Sequence, residues 1–406
     1  MRRTSMAKGN LIVGQSGGPT SVINASLAGI VDTARDDSRA GRVLGMRYGI
    51  EGLMAGNLVD LGREPASVVE GLARRPSSAL GSCRLKLKDE HLPRIFEIIR
   101  ANDIRYMLLI GGNDTMDTIH RITEYAAERR YDLTGVGVPK TVDNDLFGTD
   151  HTPGFASAAR YTALSVQQAG ILARDMRLVD QYVVFQAIGR DSGWLAAASA
   201  LARRDGDDAP HILVLQERTF DKDAFLRKVE SVYRDHGYVS VVCGEGCKYA
   251  DGTPVSASRV TDKFGNIEFG AMGGTGLALV LHRMIADAFG FRGEFQITES
   301  LAMCAADRVV PLDAEEARMC GSAAVDLALS GTGGVMVTLV RRPGVDYACT
   351  TETIGLSEVA VRAKPMPDEF IGADGMDITP AFLKYASPLV GELPIYDKLA
   401  YHPYTS

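Results

Sequence analysis

The chain has 406 residues, 46% hydrophobic and 23% charged, enough for about two or three domains of roughly 150 residues each. Its net charge is −7, and its acids are dispersed with no basic stripe, which argues against nucleic acid as a partner and favours a small-molecule ligand. The basic start "MRRTSMAKGN" is followed only by "LIV" before "GQSGGPT", so no signal peptide is expected, and no window offers the roughly 20 apolar residues of a membrane helix. Six cysteines (Cys83, Cys243, Cys247, Cys304, Cys320 and Cys349) form no CxxC pair. Reduced thiols and a cytoplasmic location are expected.

Short apolar runs alternate with amphipathic stretches along the chain. "LIVG" precedes a helical pattern over 21–35, "YMLLIGG" one over 116–130, "QYVVFQAIG" one over 192–203 and "HILVLQE" one over 222–236, with "YVSVVCGEG" following. Met116, Ile119, Ile122 and Ala126 recur at steps of three and four, as one helical face requires. Runs without polar alternation, such as "QYVVFQAI", suit strands covered on both faces. The pattern predicts an α/β protein with mostly parallel sheets and helices on both faces. The longest irregular stretch is 248–274.

Ligands of such sheets bind at the carboxyl ends of strands, which directs attention to three of them. In "VGQSGGPTSVIN", Gly17 and Gly18 allow close backbone approach to an anion before a helix with Ser21 near its cap, although tight turns use glycine pairs as well. In "LLIGGNDTMDT", Gly111 and Gly112 end a strand, and Asn113, Asp114 and Thr115 open a helix. These side chains could hold a hard cation, or Asp114 could simply cap the helix. In "GVPKTVDNDLFGTD", Lys140 stands near Asp143 and Asp145 at the end of an apolar run. In extended chain the two acids share a face and Lys140 points away, so a turn at Pro139 or Asn144 is needed to gather them. Lysine and Mg²⁺ holding phosphate, with one carboxylate taking a hydroxyl proton, would explain the set; a solvated turn with a Lys140 ion pair is the plain alternative. Arg84 in "GSCR" and Arg190 in "IGRDSGW" add cations beside glycines.

Together "SGGPTSVIN", "GSCR", "GGNDT", "PKTVDND" and "IGRDSGW" resemble, in order and spacing, the phosphofructokinase family, and "GMDITPAFLKYASPLV" resembles the tail of its long bacterial pyrophosphate-dependent members. The resemblance implies two doubly wound domains with the active site in the cleft between them. Residues 8–150 and about 304–365 would form the phosphoryl-donor domain, and 151–303 with 366–406 the acceptor domain. It also implies Asp143 as general base, Asp145 near metal and acceptor, and Thr141 and Arg84 steadying the transferred group. Gly17, Gly18, Gly112, Asp114, Thr115 and Lys140 would face the donor, and Asn113, Asp114 and Asp145 the Mg²⁺. Gly189, Arg190 and Glu245 match acceptor positions. Within the family, an acid at Asp114 and a lysine at Lys140 mark pyrophosphate users; a carboxylate there would repel a nucleotide's α-phosphate, while an ammonium holds compact pyrophosphate. Asn113 departs from the usual aspartate.

The acceptor positions depart further. Members that bind fructose 6-phosphate hold its phosphate with basic side chains, one nine residues before the arginine of "GR" and others ending in a "QR" pair. Here the first is Gln181, the pair falls on Ala302 and Met303, and Ser300 and Glu294 fall on two further basic positions. Residues 294–306 contain no Lys, Arg or His. Each missing charge-assisted contact forfeits about 1.5–3 kcal/mol, so an unphosphorylated sugar, polyol or cyclitol is the expected acceptor. The alternative keeps fructose 6-phosphate, with Arg160, Arg174, Arg177 or Arg292 supplying the charge. A catalytically idle ligand-binding regulator is the alternative of another class. Neighbouring subunits share acceptor residues in the family, which implies a homodimer or homotetramer.

Overall fold

The computed structural model describes residues 9–256, 276–344, 347–360, 362–400 and 402. Most of the basic amino-terminal stretch and of the irregular segment 248–274 lies outside these residues. The described strands are β1 (Gly9–Gln15), β2 (Ala40–Met46), β3 (Leu58–Asp60), β4 (Ile104–Gly111), β5 (Thr134–Pro139), β6 (Tyr182–Gln186), β7 (Ile212–Val214), β8 (Val239–Cys243), β9 (Gly293–Ile297), β10 (Val335–Arg341) and β11 (Cys349–Gly355).

They form two sheets, one of seven strands in the order β11-β10-β5-β4-β1-β2-β3 and one of four in the order β7-β8-β6-β9. The larger sheet is parallel except for β3 and β11 at its edges. The smaller is parallel throughout. In the large sheet the chain passes from β1 outward to β2, then returns to β4 on the other side of β1. The carboxyl ends of β1 and β4 therefore flank a topological switch point, where an open α/β sheet leaves a crevice. In the small sheet, β6 is likewise flanked by two later strands, β8 and β9.

Residues after 300 return to both units. The helix Pro311–Ser330 packs on the helix Ile23–Arg35 so closely that a Cβ at Gly321 would lie 2.1 Å from the Ser26 carbonyl oxygen, and β10 and β11 extend the large sheet. The C-terminal helix Pro380–Val390 packs instead on Phe155–Asp175.

The helix after β4 runs Asn113–Glu128 and buries Met116, Ile119, Ile122 and Ala126, the face its periodicity predicted. Fully burying side chains such as the first three contributes about 1.5–3 kcal/mol each. Lys222–His236 also matches its expected span, whereas 192–203 resolves into a short α-helix, Trp194–Ala198, and a 3₁₀ turn, Ser199–Ala202. All six cysteines are free, and no helix among the described residues is long and apolar enough to cross a membrane.

Candidate functional site

β5, β4 and β1 are neighbours in the large sheet, so the three glycine- and acid-bearing strand ends lie side by side along one edge. Lys140, the first residue after β5, donates its backbone N–H to the Gly111 carbonyl at 3.1 Å. Its side chain crosses beneath β1's turn and donates to the Gly18 carbonyl at 2.6 Å, and a Cβ on Gly17 would stand 3.4 Å from the ammonium. Gly17 has φ +75°, in the left-handed region, so glycine serves both conformation and clearance there. Ser82 and Cys83 fix this turn from the far side: Ser82 Oγ donates to the Gly17 carbonyl and Gly17 N–H to the Cys83 carbonyl. Arg84 follows them, exposed at the mouth.

Lys140 is only 4% exposed. Burial lowers its pKa to about 8, with Arg84 pushing the same way and Asp143 and Asp145 opposing. The ammonium still prevails at neutral pH, a preorganised buried cation whose side chain donates to the Gly18 carbonyl.

Asn144 makes the turn that gathers the charges, with φ +55°. The expectation of a turn at Pro139 or Asn144 is thus met at Asn144, Pro139 being the last residue of β5. Asp143 N–H donates to Thr141 Oγ1 at 3.1 Å, and Ser192 Oγ donates to the Asp143 carbonyl at 2.9 Å. Asp143 Oδ1 is buried with no hydrogen-bond partner, open to an incoming donor. Burial raises its carboxyl to about 7; Asp145 and Asp191 reinforce the shift, and Lys140 and Arg190 restrain it. The Asp145 carboxyl is raised as well, by burial first and then by Asp191, against its own backbone N–H, Lys364 and Lys140. A carboxylate tuned near neutrality is suited to general-base work.

The smaller sheet covers this edge. Gly189, just beyond β6, has φ +134°, and a Cβ there would lie 3.8 Å from Asp143 Oδ1. Gln216 Nε2 donates to the Gly189 carbonyl at 2.6 Å, and Glu245, beyond β8, donates its N–H to the same oxygen at 3.4 Å. Burial, then Asp143 and Glu299, pushes the Glu245 carboxyl up to about 8 against the pull of Arg190. Met303 reaches the cleft from the short helix Leu301–Cys304: its Sδ would lie 3.3 Å from a Cβ on Gly18.

Gln181 is not brought to this cluster. It precedes β6, at the opposite end of the strand from Gly189, and its amide is spent locally, accepting from Arg292 N–H at 3.0 Å and donating to the Arg177 carbonyl at 3.4 Å. Asp114 does not cap its helix either: Gly112 occupies the cap with no side-chain hydrogen bond, and Asp114 lies exposed in the first turn. An acid there is free to face a ligand at a positive helix end. Thr115 is buried against Gly111, and its Oγ1 would be 2.1 Å from a Cβ placed there, so Gly111 is required by packing. Ser21 is buried, and the cap of the following helix is Val22.

The residues fit a hard divalent cation. Asn113 Oδ1, on the first residue of the helix after β4, is buried without a hydrogen-bond partner, and Asp114 beside it is exposed. Mg²⁺ needs few protein oxygens and completes its shell with water and phosphate. A separate group, buried His151 and Glu316 with half-buried Cys349, converges within 4.8 Å. There His151 lies between Asp150 at 2.9 Å and Glu316 at 2.6 Å. Burial lowers the His151 pKa, but the two carboxylates outweigh it and raise it above the ordinary imidazole value. Charge pairing accounts for that group.

Asp191, Gln216 and Lys364 were not singled out in the sequence. Asp191 adjoins Arg190 and was legible as a neighbour in "GRDSGW". Lys364 reaches the turn from far along the chain, its N–H donating to the Asp145 carbonyl and its Nζ to the Asp150 carbonyl, both at 2.7 Å. No local signal marks it or Gln216.

With the edge of β1, β4 and β5 facing Gly189, Arg190 and Glu245, this is the arrangement of a phosphoryl-transfer cleft, and the chain belongs to the phosphofructokinase family: the Phosphofructokinase family model matches residues 10–327. A pyrophosphate–fructose 6-phosphate 1-phosphotransferase of Xanthomonas campestris pv. campestris is 39% identical over 398 residues, covering 96% of this chain and 94% of that protein. A sulfofructose kinase of Alkalicoccus urumqiensis is 30% identical, covering 88% of this chain and 91% of its own. The crystal structure of a pyrophosphate-dependent phosphofructokinase from Marinobacter aquaeolei superposes with a TM-score of 0.85 at 34% identity, covering 96% of this chain and 94% of that one.

Proposed function

We propose that the protein transfers a phosphoryl group from pyrophosphate to a hydroxyl of a fructose-type sugar. The observation that carries this reading is the buried Lys140 ammonium, hydrogen-bonded to Gly18 and placed between the β1 turn and Asp143. Pyrophosphate lies against Gly17, Gly18 and Gly112, with the N-terminal N–H groups of the helix Asn113–Glu128 directed at it. Lys140 and Arg84 offset its charge, and Asp114 stands where a larger nucleotide donor would be repelled. Bound Mg²⁺, held by Asn113, Asp114 and Asp145, would neutralise charge on the phosphate oxygens. Thr141 and Arg84 steady the phosphoryl group. Asp143 accepts the proton of the acceptor hydroxyl as its oxygen bonds to phosphorus and the bridging P–O bond breaks, releasing phosphate. In this assignment residues 9–150 with the returning β10 and β11 handle the donor, and the smaller sheet handles the acceptor.

Fructose 6-phosphate is the acceptor supported by the name of the Xanthomonas relative and its near-complete coverage. A second reading, a sugar without that phosphate, is favoured by Met303 at the Gly18 turn. It is favoured also by where the other arginines are spent: Arg160 on the Val390 and Glu392 carbonyls, Arg174 on Asp175, Arg177 on the His236 carbonyl and Arg292 on Asp180. The sulfofructose kinase shows that a relative of this length is named for an acceptor other than fructose 6-phosphate. A matrix of donors (pyrophosphate, ATP) against acceptors (fructose 6-phosphate, sulfofructose, fructose, polyols) decides. Turnover with ATP alone would sink the donor assignment, and inactivity toward every acceptor would sink the whole reading.

A further inference from the structure

Asn144 separates the two active-site carboxylates, is fully buried, and holds φ +55°. A residue with a side chain in that region is strained and persists only when its surroundings over-determine it. Its side chain is held on every polar atom. Oδ1 accepts from Thr152 N–H at 3.1 Å and from Lys364 Nζ at 3.4 Å, while Nδ2 donates to the Tyr385 hydroxyl at 3.0 Å.

Tyr385 belongs to the C-terminal helix, 241 residues away in sequence. Its hydroxyl donates to the Asp150 carbonyl at 2.8 Å, so its donor and acceptor capacities are both used within residues 144–150. The ring cannot drift: it lies 5.4 Å from both Trp194 and Phe370, and the Arg341 guanidinium sits 4.7 Å above it while donating to the Tyr385 carbonyl at 3.1 Å. The hydroxyl thus sets the Asn144 rotamer, and Asn144 sets the directions in which Asp143 and Asp145 leave the chain. The hydrogen bond from Asn144 Nδ2 to the Tyr385 hydroxyl ties the C-terminal helix to the turn between the two carboxylates.

We propose that Tyr385 is a positioning residue for phosphoryl transfer, acting on Asp143 and Asp145 through Asn144. The proposal rests on the reading of Asp143 as base. Tyr385→Phe removes one oxygen and keeps the ring packing. It should lower kcat roughly 10- to 100-fold, as a misplaced reacting group does, with KM for pyrophosphate within about twofold. Asn144→Gly, which tolerates the positive φ, should lower kcat comparably, and the double variant should be no worse than either single one, since both break the same link. Multiplicative effects in the double variant, or wild-type kcat in Tyr385→Phe, would overturn the proposal. A parallel rise in KM for pyrophosphate would as well, because it would indicate general loosening of the fold.

A turnover-independent arm uses ¹⁵N-asparagine-labelled protein. The Asn144 side-chain amide signal, assigned by its loss in Asn144→Gly, should shift and broaden in Tyr385→Phe, while the emission of Trp194, the sole tryptophan, stays in place. An unchanged amide signal overturns the proposal. If the wild-type enzyme turns over no acceptor, the functional reading fails, and the amide signal alone then decides the role of Tyr385.

Discussion

The two sides of the cleft are built from the same kind of parallel sheet yet differ in how they acquire their chemistry. On the proposed donor side, Gly17, Gly18, Gly112 and Lys140 lie on turns leaving three adjacent strands and Asp114 in the helix that follows one of them. On the acceptor side, Gly189 and Glu245 leave adjacent strands β6 and β8, but Met303 arrives from a later helix and Gln181 points away at the wrong end of β6. A site formed by consecutive strand ends is fixed by the sheet. A site completed by late or distant segments can change its ligand without disturbing that sheet.

The largest expected effect comes from the shared centre. Asp143→Asn should reduce kcat by about 10²–10⁴ with little change in either KM, read by steady-state phosphate release. Comparable loss in KM instead would place Asp143 in binding. Lys140→Met tests the donor side alone: losing one charge-assisted contact of about 1.5–3 kcal/mol should lower kcat/KM for pyrophosphate roughly 10- to 150-fold and leave acceptor KM nearly unchanged. An equal loss on the acceptor would erase the division between the two sides.

Met303→Arg addresses the acceptor side. If the cleft lacks a phosphate-binding cation there, adding one should raise kcat/KM for fructose 6-phosphate by about tenfold while leaving unphosphorylated sugars unimproved. A loss with fructose 6-phosphate would mean that its phosphate is already held elsewhere.

A stability measurement distinguishes the halves as well. His211, before β7, accepts the Ser240 N–H on Nδ1 and leaves Nε2 buried without a partner. Burial, then His236 and Arg203, lowers its pKa from 6.5 to about 4. The unfolded chain therefore binds the proton first as pH falls below about 6.5, and the stability so lost grows until about pH 4, to roughly 3 kcal/mol. Urea unfolding at pH 7 and pH 4.5 should show a steeper fall for the wild type than for His211→Gln. Equal slopes would show that His211 does not control the acid sensitivity of this half.

What the sequence disclosed follows the same division. The helix after β4 was legible because Met116, Ile119 and Ile122 report their face within one segment, and the Lys140–Asp145 cluster because a charged run at a buried strand's end is costly unless used. The Asn144 turn was legible only as one of two choices, since its φ depends on Thr152, Lys364 and Tyr385, which lie far apart in sequence. Taken alone, Asp114 read more readily as a cap, because an acid in the first helical turn looks the same whether it faces its own backbone or a ligand. Gln216 and Lys364 stayed hidden for the reason that tertiary hydrogen bonds leave no period and no motif.

The central claim is that Lys140 and Asp143 make this cleft a pyrophosphate-dependent phosphotransferase. The most direct measurement is initial-rate phosphate release by the purified protein with Mg²⁺, comparing pyrophosphate with ATP in the presence of each sugar acceptor. Turnover with pyrophosphate that far exceeds turnover with ATP, and collapses in Asp143→Asn, is the predicted result. Equal or greater turnover with ATP, or activity that survives the loss of Asp143, would contradict it.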